Sequence, residues 1–144
     1  MSRPATLAEV SAVVTAGAKP FAIAIAEFVD AFYLDHPDTL RQQRRLDQAP
    51  AALGDDFMDA WIGAVGEHLA RRWGLGVPAW TRRPFHDRLV RPRFVPDAKE
   101  LRGALIVMSP PAFRARLLFT IAEPLQRARF PRDVERIGYP LRWP

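Results

Sequence analysis

The sequence contains no cysteine, and this absence excludes disulfide bonds and zinc sites built from thiolates. No apolar run reaches the roughly 18 residues that a membrane-spanning helix requires. The N-terminal stretch, MSRPATLAEVSAVV, lacks the uninterrupted apolar segment and the small-residue cleavage site of a secretory signal. We therefore expect a cytoplasmic protein without a membrane segment.

The common catalytic motifs are also missing. The chain has neither a glycine-rich phosphate loop nor a G-x-S-x-G nucleophile elbow. Its three histidines, His36, His68 and His86, are far apart, whereas a zinc site without cysteine usually needs two closely spaced histidines and a carboxylate. We expect no metal, no cofactor and no enzymatic activity.

One polar group in the chain could still support a weak catalytic hypothesis. Arg83, His86 and Asp87 could serve a small hydrolase or phosphodiesterase, with the basic group holding a phosphate and the histidine moving a proton. Pro84 interrupts the helix that such a motif needs. His68, beside Glu67, is expected to be a half-buried packing histidine rather than an acid–base group.

Charge is distributed unevenly along the 144 residues. Residues 1–60 carry nine acidic and five basic side chains, whereas residues 61–144 carry seven acidic and sixteen basic ones. Such a split can mark a basic surface that meets an acidic partner or a phosphate backbone. Nineteen of the 21 basic residues are arginine, however, which a GC-rich genome would also produce. Both interpretations stay open at this point.

The spacing of apolar residues predicts an all-α fold: one compact domain over residues 1–144, a bundle of about five to six helices and no pair of strands. The helix of residues 20–34 is the expected centre of the core. The basic loop, about 75–96, is predicted to be irregular, and the tail, about 131–144, to be loosely structured. The predicted helices run about Thr6–Ala16, Pro20–Leu34, Pro37–Gln48, Asp55–Gly74 and Asp97–Met108, followed by one starting at Pro110-Pro111 and a last short one around EPLQRAR.

The stretch WTRRPFHDRLVRPRF, residues 80–94, holds five arginines among aromatics and prolines. We expect Trp80 to pack and the arginines between the ends of this stretch to contact a protein partner. The candidate partner-binding residues are Trp80, Arg82, Arg83, Arg88, Arg91, Arg93, Arg114 and Arg116. The alternative is a nucleic-acid-binding module in which nearby aromatics stack on bases, with the candidate residues Arg82, Arg83, Arg88, Arg91, Arg93, Arg127 and Arg129.

Three motifs occur in a distinctive order: EHLA at 67–70, G-L-x-V-P-A-W-T at 74–81, and S-P-x-A-F-R-x-R at 109–116. With their flanking sequence they resemble a widespread group of small, mostly uncharacterised helical bacterial proteins over about residues 27–130. The chain departs from that group around FHDRLVRPRF, where a more aromatic run is expected, and we expect no separate DNA-binding domain.

Members of that group are often encoded near nucleotidyltransferase-like proteins of toxin–antitoxin type. The resemblance therefore implies an antitoxin-like or regulatory partner of a nucleotidyltransferase-type toxin. It assigns no catalytic residues to this chain.

Overall fold

The computed structural model of the chain describes residues 3–131. The tail that the sequence predicts to be loose lies, from residue 132 onward, outside the described residues. Within 3–131 there are seven α-helices, two strands and two short 3-10 turns. The helices are α1 (Leu7–Thr15), α2 (Phe21–Leu34), α3 (Thr39–Asp47), α4 (Asp56–Arg72), α5 (Pro84–Asp87), α6 (Arg102–Met108) and α7 (Pro111–Arg114); the strands are β1 (Arg93–Val95) and β2 (Leu118–Thr120); the 3-10 turns are Ala79–Arg82 and Lys99–Leu101.

Side-chain caps define the starts of three helices. Thr6 and Asp55 accept hydrogen bonds from the third residue beyond them, which confirms the predicted starts of α1 and α4. Asp38 caps α3 in the same way, so that helix begins at Thr39 rather than at Pro37. Caps were readable from the sequence because they depend on neighbouring residues alone.

The central helix is α4, not α2 as the sequence predicted. Twelve of its seventeen residues are buried, on every side of the helix. Alanines and glycines at 60, 63, 64, 66 and 70 allow neighbouring segments to approach it closely. The helix α2 contributes Phe28, Val29 and Phe32 to the same hydrophobic core but leaves Ile23 and Leu34 exposed.

The all-α prediction is wrong in one respect, although the fold is mostly helical. Strands β1 and β2 pair in parallel, with Phe94 opposite Phe119, and the two rings stack at 5.2 Å between centroids. Parallel strands cannot be joined by a tight turn, so a crossover segment is needed, and α6 and α7 lie in it. Each strand has three residues, too few to show a period in the sequence.

Three local predictions also need correction. The segment 75–96 is not wholly irregular, since it contains a 3-10 turn, α5 and β1. The helix predicted over Asp97–Met108 begins only at Arg102, after the 3-10 turn at Lys99–Leu101. No helix forms around EPLQRAR, where the chain makes turns held to α2 by the Tyr33 hydroxyl, which donates to the Leu125 carbonyl at 2.7 Å.

A helix at Pro110-Pro111 was predicted correctly, and α7 starts at Pro111, although it lasts only one turn. None of the helices among residues 3–131 is long and apolar enough to cross a membrane.

The small residues of α4 give a direct test of its packing. A Cβ at position 63 would lie 2.2 Å from the carbonyl oxygen of His86, whereas one at Gly103, in α6, would meet nothing within 4 Å. We predict that Gly63→Ala lowers the free energy of unfolding by about 1–3 kcal/mol through overpacking. Gly103→Ala, the matched control, should raise it by up to about 1 kcal/mol through helix propensity. Urea unfolding of both variants measures this, and equal effects would contradict the proposed close contact.

Candidate interaction surface and the buried network beneath it

The guanidinium of Arg116 is fully buried and joins four segments of the chain. Its Nε donates to the His86 carbonyl at 2.7 Å, and its Nη2 donates to the Thr81 carbonyl at 2.9 Å. Its Nη1 donates to Glu67 Oε1 at 2.9 Å and to the Ala112 carbonyl at 2.8 Å. Arg116 therefore ties α4, the first 3-10 turn, α5 and α7 together.

Glu67 is the carboxylate at the centre of this network. Its side chain is 5% exposed and also accepts hydrogen bonds from Arg71 at 2.8 Å and from Arg82 at 3.4 Å. Burial alone would raise the pKa of Glu67, but the hydrogen bond from Arg71 and the charges of Arg116 and Arg82 outweigh it and lower that pKa. The carboxylate is therefore ionised at neutral pH, and three arginines share it.

The start of the basic segment is also held in the interior. Trp80 is 6% exposed and its indole N–H donates to the Leu46 carbonyl at 2.8 Å, which confirms that it packs. Its ring lies so close to Gly66 that a Cβ there would be 2.8 Å from it. The ring of His86 is fully buried beside Trp80, with 5.0 Å between centroids, and burial lowers the pKa of His86.

Residues 83–92 form the exposed part of this segment, which we call the arginine loop. Phe85 is 39% exposed and Val90 is 91% exposed. Arg88 and Arg91 are exposed and have no hydrogen-bond or ion-pair partner among the described residues. Leu89, between them, is buried, and its N–H donates to the Arg116 carbonyl at 3.1 Å.

Both ends of the arginine loop are hydrogen-bonded to the rest of the protein. Arg83 donates to the Pro50 carbonyl at 3.4 Å, and the Arg93 N–H donates to the Leu117 carbonyl at 2.9 Å. The loop consequently presents two unpaired cations and two apolar side chains on a fixed base.

Four of the predicted partner-binding residues are engaged within the protein. Trp80 and Arg116 lie in the interior and offer no surface to a partner, which corrects their assignment to a contact. Arg82 is half-exposed but pairs with Glu67 and with Asp87, the latter at 3.5 Å. Arg114 donates to the Val107 carbonyl at 2.9 Å, near the end of α6.

The remaining arginines of both predicted sets are dispersed. Arg93 lies over the Phe57 ring, with 4.6 Å from its guanidinium carbon to the centroid. Arg127 forms a two-point ion pair with Asp30, with both distances 2.9 Å. Arg129 is exposed. The structure thus brings Arg83, Arg88 and Arg91 together on one loop and does not bring the full predicted sets to one face.

The catalytic hypothesis finds no open site in the described part of the chain. The ring of His86 is enclosed, Asp87 pairs with Arg82, and Arg83 reaches toward Pro50. His68 is more buried than expected, at 2% exposure, and burial, with the charge of Arg72, lowers its pKa to about 3. No group of three His, Asp or Glu side chains within residues 3–131 could hold a metal ion.

Comparisons with protein-family models, with curated proteins and with solved structures gave no match for this chain. The family resemblance therefore stays a prediction.

The motif residues behind that resemblance nevertheless have physical roles here. Glu67 from EHLA, Thr81 from P-A-W-T and Arg116 from S-P-x-A-F-R-x-R meet in the buried network. Ser109 of the third motif accepts the N–H of Thr120 at 2.8 Å and so holds β2. These motifs describe the interior of the fold and not a contact surface.

Sequence reasoning missed the buried position of Glu67, although the spacing of Glu67 and Arg71 permits an i,i+4 ion pair. That pair is present, but the small residues Gly63, Ala64, Gly66 and Ala70 around Glu67 were the signal that this side of α4 is covered. Exposed Phe85 and Val90 carried no comparable signal, because exposure depends on the tertiary fold.

We predict that Arg116→Met lowers the free energy of unfolding by about 3–5 kcal/mol. The substitution removes a positive charge that compensates the buried Glu67 carboxylate, and it leaves three carbonyls without a hydrogen-bond donor. Arg71→Met is the matched control on the same carboxylate. Its side chain is 39% exposed, so the loss should be at most about 1 kcal/mol. Equal losses in urea unfolding would show that Arg116 does not hold the network.

Stability should fall as the pH is lowered. The pKa of buried His68 lies near 3 against an ordinary 6.5, so protons bind the unfolded chain preferentially as the pH falls below 6.5. The lowered pKa of His86 acts in the same direction, and Glu67 adds a further loss below its ordinary pKa of 4.5. His68→Phe should flatten the upper part of this dependence. Urea unfolding at several pH values measures the free energy of unfolding of both proteins. If that free energy depends on pH equally steeply in His68→Phe and in the wild type between neutral pH and about pH 4, the assignment is contradicted.

Proposed function

We propose that this protein is a cytoplasmic, non-enzymatic interaction domain that binds an acidic protein surface through the arginine loop. One observation carries the proposal: Arg88 and Arg91 are unpaired on a loop whose two ends are fixed to the protein. Most other arginines considered above have partners within the chain. The loop therefore keeps two positive charges available to a ligand, on the same segment as exposed Phe85 and Val90.

The loop combines the side chains that contribute most to protein interfaces. Arginines supply forked donors for carboxylates, and an exposed aromatic such as Phe85 supplies apolar contact area. Pro84 and Pro92 restrict the backbone, which lowers the entropy lost on binding. The buried network beneath the loop adds to this preorganisation, because Arg116 holds both His86 and Leu89 through its hydrogen bonds.

The family resemblance suggests the partner. A nucleotidyltransferase-type toxin encoded beside this chain would make it an antitoxin-like or regulatory subunit. Acidic side chains on that partner would complement Arg88 and Arg91, and a shallow apolar surface would receive Phe85 and Val90.

The nucleic-acid alternative receives less support from the same contacts. Arg82 and Arg127 are neutralised by carboxylates, and Trp80 is enclosed and cannot stack on a base. Single-strand binding needs a basic groove with stacking platforms. In the described part of the arginine loop, Phe85 is the aromatic side chain left at the surface.

Co-expression with the product of the adjacent gene, followed by size-exclusion chromatography, tests the proposal. We predict a single peak that contains both proteins, and the double variant Arg88→Glu/Arg91→Glu should weaken the complex at least about tenfold, or about 1.4 kcal/mol. The control Arg41→Glu/Arg44→Glu reverses two exposed charges on α3 and should leave the complex intact.

Two separate peaks for the wild-type pair would contradict the proposal. Fluorescence anisotropy with labelled DNA and RNA provides the second measurement. Binding that weakens steeply with added salt and disappears in the Arg88→Glu/Arg91→Glu variant would favour the nucleic-acid function instead.

A further inference from the structure

An apolar groove of about 400 Å³ lies between α2, the start of α4, β1 and the turns at 124–127. None of the residues that line this groove belongs to the arginine loop, and the protein contact proposed above does not involve the groove. Its walls are formed mainly by Phe21, Ile25 and Val29 of α2, Phe57 and Trp61 of α4, and Leu125. Pockets for small organic molecules have volumes of roughly 300–1,000 Å³ and similar apolar, aromatic walls.

Tertiary contacts hold each wall of this groove in place. The turn at Leu125 is fixed by the Tyr33 hydroxyl, and the Trp61 ring packs edge-on against Phe113 with 4.8 Å between centroids. Val95 belongs to β1, where it pairs with Thr120. A ligand would thus meet a preformed site and would pay little for ordering it.

The charges around the groove indicate what the ligand must carry. Arg127, the charged residue among those that line it, is already neutralised by its two-point pair with Asp30. The Arg93 guanidinium lies over the ring of Phe57, which lines the groove, and it has no carboxylate partner among the described residues. The groove therefore has apolar walls and one uncompensated positive charge beside them.

We propose that this groove binds an anionic amphiphile: a small carboxylic acid whose apolar chain or ring lies between Phe21 and Trp61 and whose carboxylate meets Arg93. Burial of the chain supplies most of the affinity, because each methylene removed from water contributes about 0.8 kcal/mol. The ion pair at the exposed rim selects the acid over an uncharged analogue.

Titration of the full-length protein with sodium decanoate, below its micelle-forming concentration, tests the proposal by calorimetry and by NMR. We expect saturable one-site binding and a shift of the Trp61 indole resonance. Decanol should bind the same site about two- to fivefold more weakly, the difference expected for an exposed ion pair. The absence of saturable decanoate binding, as would follow if a second copy or a protein partner covers the groove, overturns the proposal.

Matched variants locate the site. Ala26→Leu fills the groove and should weaken both ligands at least about tenfold, whereas Ala12→Leu, on the exposed side of α1, should not. Arg93→Gln should weaken decanoate about two- to fivefold and leave decanol unchanged, and Arg44→Gln, at an exposed arginine of α3, should affect neither.

Decanoate binding that survives Ala26→Leu without a Trp61 shift would place the ligand elsewhere and overturn the proposal. Circular dichroism verifies that each variant is folded. Should Ala26→Leu unfold, Ala22→Leu fills the same groove, and the Trp61 shift in the wild-type protein decides the question without any variant.

Discussion

The interior of this protein has to accommodate a carboxylate and a guanidinium, and the positions of four segments follow from that requirement. Moving either charge out of water costs several kcal/mol, which is recovered only when every donor and acceptor is satisfied in good geometry. Glu67 and Arg116 meet this condition with one another and with the carbonyls of Thr81, His86 and Ala112. The first 3-10 turn, α5 and α7 must therefore keep fixed positions against α4. The glycines of α4 allow these segments to approach the helix closely enough.

The same network divides the arginines of the chain into two groups with different roles. Arg116 is buried and pairs with Glu67, and Arg82 also pairs with Glu67. Arg88 and Arg91, in contrast, are exposed to solvent on a loop with fixed ends. An arginine-rich composition by itself thus says little about binding, since pairing within the fold removes much of the positive charge. Two of the positive charges that remain, those of Arg88 and Arg91, lie on one loop, and the proposed protein contact depends on that location.

Much of the fold could be predicted from local sequence, and the site could not. Caps at Thr6 and Asp55 and the apolar spacing in α2 depend on nearby residues, so those helices were predicted nearly to their ends. The β1–β2 pair joins segments more than twenty residues apart, and three-residue strands leave no period. The EPLQRAR segment carries helix-start signals but is held in turns by Tyr33 and Asp30. The burial of Arg116 and the exposure of Arg88 could not be predicted from the sequence either, because the two residues differ only in their tertiary surroundings.

Native-state hydrogen exchange of the Arg116→Met variant tests most directly whether the network holds the base of the arginine loop. The amides of Arg83, His86 and Leu89 report on that base, and the amides of α2 report on the rest of the core. We predict that the amides of Arg83, His86 and Leu89 lose more protection against exchange than the decrease in the global free energy of unfolding accounts for. The amides of α2 should lose only as much protection as that decrease accounts for. Protection that falls equally in both groups would contradict this prediction, because the loop would then depend on the fold as a whole and not on Arg116.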